Sequence, residues 1–192
     1  LPNLKVDSER VLVSEVEMEE DKNIFRSKLL GRHNQIPVSL AVRVGGVLGV
    51  SDEILKKVVG EFKGVKGRLE LIKEVAGVRV YNDTTATTGD AAVAAMRAVE
   101  ELLTLEGGIG KMILITGGRD KELDMTRYLD TMEDLYNKGI FKKIIFLQDE
   151  TTTGTNRVLK EKVEAAAKYS FTYDVASSLE QAVQQAKSPA AQ

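Results

Sequence analysis

The sequence predicts an α/β protein whose second part is built on a mostly parallel β-sheet. From residue 78 onward, segments with strand character alternate with segments with helix character. Two short apolar runs, residues 111–116 and 143–147, are typical of strands that are buried on both faces of a parallel sheet. Strands that alternate with helices in this way pair in parallel through right-handed crossovers.

The composition is ordinary for a globular protein and excludes several classes of function. The 192 residues, 43% of them apolar, suffice for one domain or for one domain and part of another. The formal net charge of −2 gives no reason to expect binding to nucleic acid or to an anionic membrane. The absence of cysteine excludes disulfides and cysteine-bound metals, and is compatible with a cytoplasmic location. With His33 as the one histidine, a histidine-based metal site or triad is not expected.

The first 62 residues predict one strand and two helices. Residues 11–18 alternate between two sets of side chains, which favours a strand. Apolar residues at helical spacing predict helices over residues 35–48, with Pro37 in the first turn, and over residues 53–62, with Ser51 as N-cap. The chain starts at Leu1 without a signal peptide or a membrane-spanning apolar run, and we expect it to be part of a longer protein.

A glycine-rich and basic run at residues 63–68 marks a predicted domain boundary, and a β-hairpin follows it. The hairpin strands are residues 69–75 and 78–81, joined by the tight turn Ala76-Gly77. The other predicted strands are residues 111–116, 143–147 and 171–173. The other predicted helices are residues 90–103, 126–137, 156–167 and 179–186.

The polar turn at residues 82–90 is the stretch most informative about function. It joins a strand to a helix and offers hydroxyls, the Asp83 carboxylate and unpaired backbone N–H groups, which suits a ligand-binding turn of an α/β protein. The alternative is that Thr88 or Asp90 only caps the helix. Capping and ligand contact are compatible with each other.

Three other glycine- or threonine-rich loops differ in how well their sequence and position suit ligand binding. Residues 117–121, Gly-Gly-Arg-Asp-Lys, follow a buried strand and either seat a carboxylate or phosphate or form a solvated loop. Residues 151–155 are interpreted as a loop with an N-cap. Residues 107–111 are not a phosphate-binding P-loop, because a strand rather than a helix follows Lys111.

Four segments in this order resemble the Mur ligase family. They are Leu-Gly-Arg-His-Asn at residues 30–34, the run at residues 62–70, Tyr-Asn-Asp-Thr-Thr-Ala-Thr-Thr at residues 81–88, and Ile-Thr-Gly-Gly-Arg-Asp-Lys at residues 115–121. Their order and spacing agree with the family over about residues 29–186. The resemblance is greatest to the branch that adds D-glutamate to UDP-N-acetylmuramoyl-L-alanine.

The resemblance implies a three-domain ATP-dependent amide ligase that acts through an acyl phosphate in peptidoglycan precursor synthesis. Residues 1–62 would be the end of the central ATP-binding domain, and residues 63–192 an incomplete Rossmann-like, amino-acid-binding C-terminal domain. The implied ligands are ATP with Mg²⁺, UDP-N-acetylmuramoyl-L-alanine and D-glutamate, and the implied protein is a cytoplasmic monomer. Because the P-loop and the metal ligands lie outside this chain, we expect the chain alone to be inactive.

Five residues correspond to binding positions of the family. Asn34 matches its asparagine at the adenine, Arg68 its arginine at the ATP phosphates, and Asp83 the acid at the ribose. Thr87 and Lys121 match positions near the carboxylates of D-glutamate. No catalytic residue and no metal ligand is implied for this chain.

The chain also departs from the family pattern, and two other functions stay open. Lys66-Gly67 stands where the family often has Pro-His, Thr85 stands where it often has lysine, and the final strand with its Ser-Pro loop is missing. Either Lys121 mainly holds the amino acid, or the substrate differs. The alternatives are a folylpolyglutamate synthase-like ligase and a Rossmann-like interaction module that binds no ligand.

Overall fold

The computed structural model describes residues 12–117, 123–147, 163–164 and 168–188. The helices with both ends in these ranges are α1 (Glu15–Ile24), α2 (Arg32–Val47), α3 (Asp52–Glu61), α4 (Gly89–Leu105), α5 (Thr126–Asn137) and α6 (Leu179–Lys187). The strands are β1 (Glu70–Val75), β2 (Val78–Asn82), β3 (Met112–Thr116), β4 (Phe141–Leu147) and β5 (Asp174–Ala176).

The centre of the fold is a three-stranded parallel sheet in the order β3-β4-β5. Ile115 pairs with Ile145, which in turn pairs with Asp174. The predicted parallel sheet is therefore confirmed for these strands, and it aligns the carboxyl ends of β3 and β4 on one edge.

Helices cover both faces of this sheet because alternate residues of β4 point to opposite sides. Ile144 and Phe146 pack with α4 and α5 in the larger core cluster, whereas Ile145 packs with Ala182 of α6 in a smaller one. The side chains of Ile144, Ile145 and Phe146 are each at most 1% exposed. Burial on both faces explains why residues 144–147 of β4 are an uninterrupted apolar run rather than an alternating one.

The hairpin β1–β2 differs from the prediction in one respect. The two strands pair antiparallel as expected, from Glu70 with Asn82 to Val75 with Val78, with a register shift between Leu71 and Lys73. They form a separate two-stranded sheet, however, so β2 does not begin the parallel sheet as the alternation from residue 78 predicted. The apolar side chains of β1 and β2 are largely exposed. The alternation of strands and helices along the sequence therefore did not identify the sheet to which β2 belongs.

The predicted strand at residues 11–18 is wrong, because residues 15–24 form α1. Ser14 accepts a hydrogen bond from the backbone of Glu17, and the Glu17 carboxylate accepts one from the backbone of Ser14. This capping box starts a helix at the point where the alternating pattern indicated a strand. One turn later, Asp21 is buried against Arg43 of α2.

Helices α2 and α3 are confirmed, although α2 begins three residues earlier than predicted. Pro37 therefore lies inside α2 and not in its first turn. Gly45 of α2 packs against a side chain of α3, since a methyl group built on Gly45 would lie 2.6 Å from Leu55 Cδ2. Helices α1 and α2 also pack together through the Arg43 contacts to Glu17 and Asp21.

The remaining predicted elements that fall on described residues are confirmed with one shift. Helices α4, α5 and α6 and strands β3 and β4 form where they were expected, within two residues at each end. The last strand is Asp174–Ala176 rather than residues 171–173. Phe171 and Tyr173, which suggested the strand, instead pack in the larger core cluster just before β5 begins. The loop residues 151–155, Lys121 and most of the helix predicted at 156–167 lie outside the described residues. Among the helices described, none has the length and apolar character that crossing a membrane requires.

Candidate functional site

The two loops at the open end of the hairpin are tied together by Gly67 and Thr85. The carbonyl oxygen of Gly67 accepts hydrogen bonds from the backbone N–H of Thr85 at 3.0 Å and from the Thr85 hydroxyl at 2.7 Å. Gly67 itself is buried and has a φ of +76°. A side chain there would meet the Thr85 methyl group at 2.9 Å, so this position requires glycine.

This contact gives Thr85 a structural role. At the position where the family often has a lysine, the Thr85 side chain is used to hold the loop of Gly67. Its hydroxyl is therefore directed to the protein backbone, and the choice between Lys121 as the main contact and a different substrate stays a prediction.

Asp83 lies next to the loop that carries Arg68. Its Oδ1 atom accepts a hydrogen bond of 2.8 Å from the backbone N–H of Leu69, a residue with a φ of +44°. The carboxylate is half-buried, whereas the Arg68 side chain is exposed. The structure thus brings together two of the residues predicted to bind a nucleotide, Arg68 and Asp83.

The start of α2 brings His33 and Asn34 to the same place. The Asn34 Nδ2 atom donates to the carbonyl oxygen of Leu30 at 2.7 Å and lies 3.1 Å from His33 Nε2. Because the amide nitrogen can only donate, His33 Nε2 accepts in this contact when the ring is neutral and carries its proton at Nδ1. The amide nitrogen is thereby committed, so a ligand contact from Asn34 would use its oxygen.

The pKa values of His33 and Asp83 are shifted by burial and by each other's charge. Burial lowers the pKa of His33, and the negative charge of Asp83 raises it in part. Burial raises the pKa of Asp83, while the Leu69 N–H and the positive charges of His33 and Arg68 lower it. The site therefore combines a half-buried carboxylate with two groups that favour its ionised form.

Exchange of Asp83 for asparagine is expected to lower the pKa of His33 further. The carboxylate stabilises the imidazolium, so its removal leaves the desolvation of the ring unopposed. In the reciprocal variant, His33→Gln, the pKa of Asp83 should rise, because a stabilising cation is lost. NMR titrations of the ring and carboxyl signals measure both changes. Asp52→Asn, at the start of α3, serves as the control, and an unchanged His33 pKa in Asp83→Asn would contradict this geometry.

Thr87 and Thr88 lie at the start of α4, beyond Asp83. The Thr88 hydroxyl accepts a hydrogen bond of 3.3 Å from the N–H of Ala91, so the predicted cap is confirmed for Thr88. Asp90 instead pairs with Arg127 at 2.7 Å. Thr87 is exposed on the same turn, which leaves ligand contact by Thr87 compatible with capping by its neighbour.

The start of α4 is held against α5 and the end of β3. A methyl group built on Gly89 would lie 3.3 Å from Tyr128 Cβ and 3.5 Å from Met125 Sδ, so the backbone of Gly89 packs directly on α5. Tyr128 is 2% exposed, and its hydroxyl lies 2.6 Å from the Thr116 hydroxyl at the carboxyl end of β3. Burial raises the pKa of Tyr128 to about 12, so the phenol stays protonated.

A cleft of about 250 Å³ beside His33 was not predicted from the sequence. It is lined by the start of α2, by α4 and by Arg127 of α5. Its three arginines are Arg32, Arg97 and Arg127, and each is paired with a carboxylate. Apart from Glu100, which pairs with Arg97 on the same helix, the pairing partners lie on other segments of the chain, and no sequence pattern indicated this cleft.

The helix-covered parallel sheet, together with a polar loop cluster between a hairpin and a helix start, defines a Rossmann-like α/β protein with a candidate nucleotide site. A sequence profile of the family "Mur ligase, glutamate ligase domain" matches residues 67–192. The chain belongs to the Mur ligase family.

Individual relatives agree with this assignment. The UDP-N-acetylmuramoylalanine–D-glutamate ligase of Clostridium botulinum is 33% identical over 163 residues, which are 84% of this chain and 32% of that protein. The ligase of the same name from Aquifex aeolicus is 29% identical over 184 residues, 96% of this chain and 38% of that protein. The chain thus spans about a third of the length of these relatives.

A solved structure has a similar fold. The UDP-N-acetylmuramate–alanine ligase of Thermotoga maritima superposes with a TM-score of 0.61 at 13% sequence identity, over 84% of this chain and 33% of the other. At this identity the likeness supports the fold alone.

Proposed function

We propose that this chain belongs to an ATP-dependent ligase that adds D-glutamate to UDP-N-acetylmuramoyl-L-alanine. In that enzyme it would be the part that closes over the bound ATP and binds the amino acid. The observation that carries the proposal is that Arg68 and His33, from two other segments of the sequence, both act on the Asp83 carboxylate, while Asn34 lies 3.1 Å from His33. The names of the relatives support the choice of substrates. The protein would act in the cytoplasm, as a monomer, in the synthesis of peptidoglycan precursors.

The residues of this cluster fit ATP by their chemistry. Oδ1 of the Asp83 carboxylate accepts from the backbone N–H of Leu69. The second carboxylate oxygen, Oδ2, can accept from ribose hydroxyls. The exposed Arg68 guanidinium suits phosphate oxygens, and the Asn34 oxygen suits the amino group of adenine. Bound ATP would supply the phosphoryl group that activates the acceptor carboxylate, while these three residues would bind and orient the nucleotide.

Magnesium would be held elsewhere in the longer protein. Within the part of the chain that the structure describes, no group of three or more acidic or histidine side chains could hold a metal ion. We infer that residues 1–62 end a central ATP-binding domain and that residues 63–192 form the amino-acid-binding domain. The start of the profile match at residue 67 supports this boundary.

The incoming D-glutamate would bind at the carboxyl ends of the strands. Thr87 is exposed at the start of a 17-residue helix, where backbone N–H groups and the helix dipole favour a carboxylate. Lys121 would supply a positive charge to the second carboxylate. The Thr85 hydroxyl, bound to Gly67, would take no part in holding the amino acid.

Titration of the ¹⁵N-labelled chain with ATP tests the nucleotide site. We expect the amide signals of Asn34, Arg68 and Asp83 to shift with ATP concentration. Asp83→Asn should weaken binding about tenfold or more, since a hydrogen bond to a charged group contributes about 1.5–3 kcal/mol. Asp52→Asn, an exposed acid at the start of α3, should bind ATP like the parent chain. If ATP shifts no signal in this cluster, or if Asp83→Asn binds equally well, the proposed site is wrong.

A further inference from the structure

The hydroxyl group of Tyr128 joins two elements that end at the proposed amino-acid site. Its partner, Thr116, is the last residue of β3, and the contact between the two oxygens is 2.6 Å. Tyr128 lies in the first turn of α5 and is 2% exposed. Thr116 is half-buried. This hydrogen bond ties the strand end to the helix start, because breaking it leaves the buried Tyr128 hydroxyl without its partner.

The same side chain also sets the position of the start of α4. Gly89, the first residue of α4, packs on Tyr128 closely enough that an added methyl group would lie 3.3 Å from its Cβ atom. The ion pair between Arg127 and Asp90 adds a second link between the two helices, but both of its side chains are exposed. Tyr128 is therefore a buried contact at the start of the helix that follows Thr87.

We propose that Tyr128 is a positioning residue, which holds Thr87 and the first N–H groups of α4 in place relative to the end of β3 for binding of a dicarboxylic amino acid. This inference rests on the proposed function, since it assumes that the amino acid binds at the start of α4. The phenol does not touch the ligand. It acts through the packing on Gly89 and the hydrogen bond to Thr116.

The test compares Tyr128→Phe with Tyr136→Phe in titrations with D-glutamate, followed by the amide signals of Thr87 and Gly89. Tyr136 lies on the same helix, and its hydroxyl is 3.4 Å from Thr172, away from the start of α4. We expect Tyr128→Phe to weaken D-glutamate binding about threefold to tenfold, which corresponds to the loss of one hydrogen bond. Tyr136→Phe should bind like the parent chain.

Two further measurements separate positioning from general loss of structure. The affinity for ATP at Asp83 should stay the same in Tyr128→Phe, because the lost hydroxyl bonds to Thr116 and, among the described residues, no hydrogen bond joins it to Arg68 or Asp83. Thr116→Ser keeps the hydroxyl partner and should keep the D-glutamate affinity, whereas Thr116→Val should match Tyr128→Phe.

The outcomes distinguish this inference from the proposal on which it rests. If D-glutamate shifts neither Thr87 nor Gly89 in the parent chain, both the amino-acid site and the role of Tyr128 are wrong. If D-glutamate binds the parent chain and Tyr128→Phe equally, only the positioning role is wrong. An equal loss of ATP and D-glutamate affinity in Tyr128→Phe would also overturn it, since it would indicate general destabilisation.

Discussion

Replacement of Gly31 by alanine is expected to lower the free energy of unfolding by about 2 kcal/mol or more, from positive-φ strain and overpacking combined. Gly31 precedes α2 with a φ of +82°, and its added methyl group would lie 2.5 Å from Ala98 Cβ of α4. That methyl group cannot rotate away, so α2 and α4 must separate. The separation should also move His33 and Asn34 away from Asp83 and weaken ATP binding.

Two other glycines allow the cost of positive-φ strain to be measured separately from the cost of overpacking. Gly49 has a φ of +78° but no atom within 4 Å of an added methyl group, so Gly49→Ala should show the backbone cost alone. Gly46 lies inside α2 with open space around it, and Gly46→Ala should be neutral or stabilise by up to about 1 kcal/mol through helix propensity. Chemical denaturation of the three variants provides the comparison. A Gly31→Ala variant no less stable than Gly49→Ala would contradict the close contact with Ala98.

Replacement of Phe146 by alanine is expected to lower the free energy of unfolding by about 3–5 kcal/mol, the range for removal of a buried aromatic ring. Phe146 is fully buried in β4, and its ring centroid lies 4.5 Å from that of Tyr173. The cavity would open between the sheet and the layer of α4 and α5. Since small domains are stable by only about 5–15 kcal/mol, this variant should lose a large share of its stability.

The matched control is Phe62→Ala at the end of α3. The Phe62 side chain is 46% exposed, so its removal should cost much less than that of Phe146. Thermal or urea unfolding of both variants measures the difference. Equal destabilisation by the two substitutions would show that Phe146 is not part of the main core.

The regular elements were predictable where one physical signal dominated. The buried strands β3 and β4 and the amphipathic helices α4 and α5 follow directly from apolar runs and helical spacing. The error at residues 11–18 arose because the alternation extended into a segment in which the Ser14–Glu17 capping box favours a helix. The hairpin was found, but its separation from the parallel sheet depends on distant contacts that no local pattern contains.

The candidate site was predictable in its residue types but not in its arrangement. Resemblance to the family indicated Arg68 and Asp83, and the structure brings these two together with His33. The use of Thr85 to hold Gly67 could not be read from the sequence, because the partners are 18 positions apart and one of them is a backbone carbonyl. The link between Tyr128 and Thr116 was missed for a similar reason, since each residue alone fits an ordinary core position.

The double hydrogen bond from Thr85 to the Gly67 carbonyl has a consequence for the entropy of binding. It closes residues 67–85 into a ring that contains the whole hairpin, with Arg68 and Asp83 just inside its two ends. These two side chains therefore stand on backbone that is already ordered before any ligand arrives. A nucleotide bound there would lose less free energy to the ordering of loops than one bound by two independent segments. Opening of the ring would displace both residues in a single cooperative event.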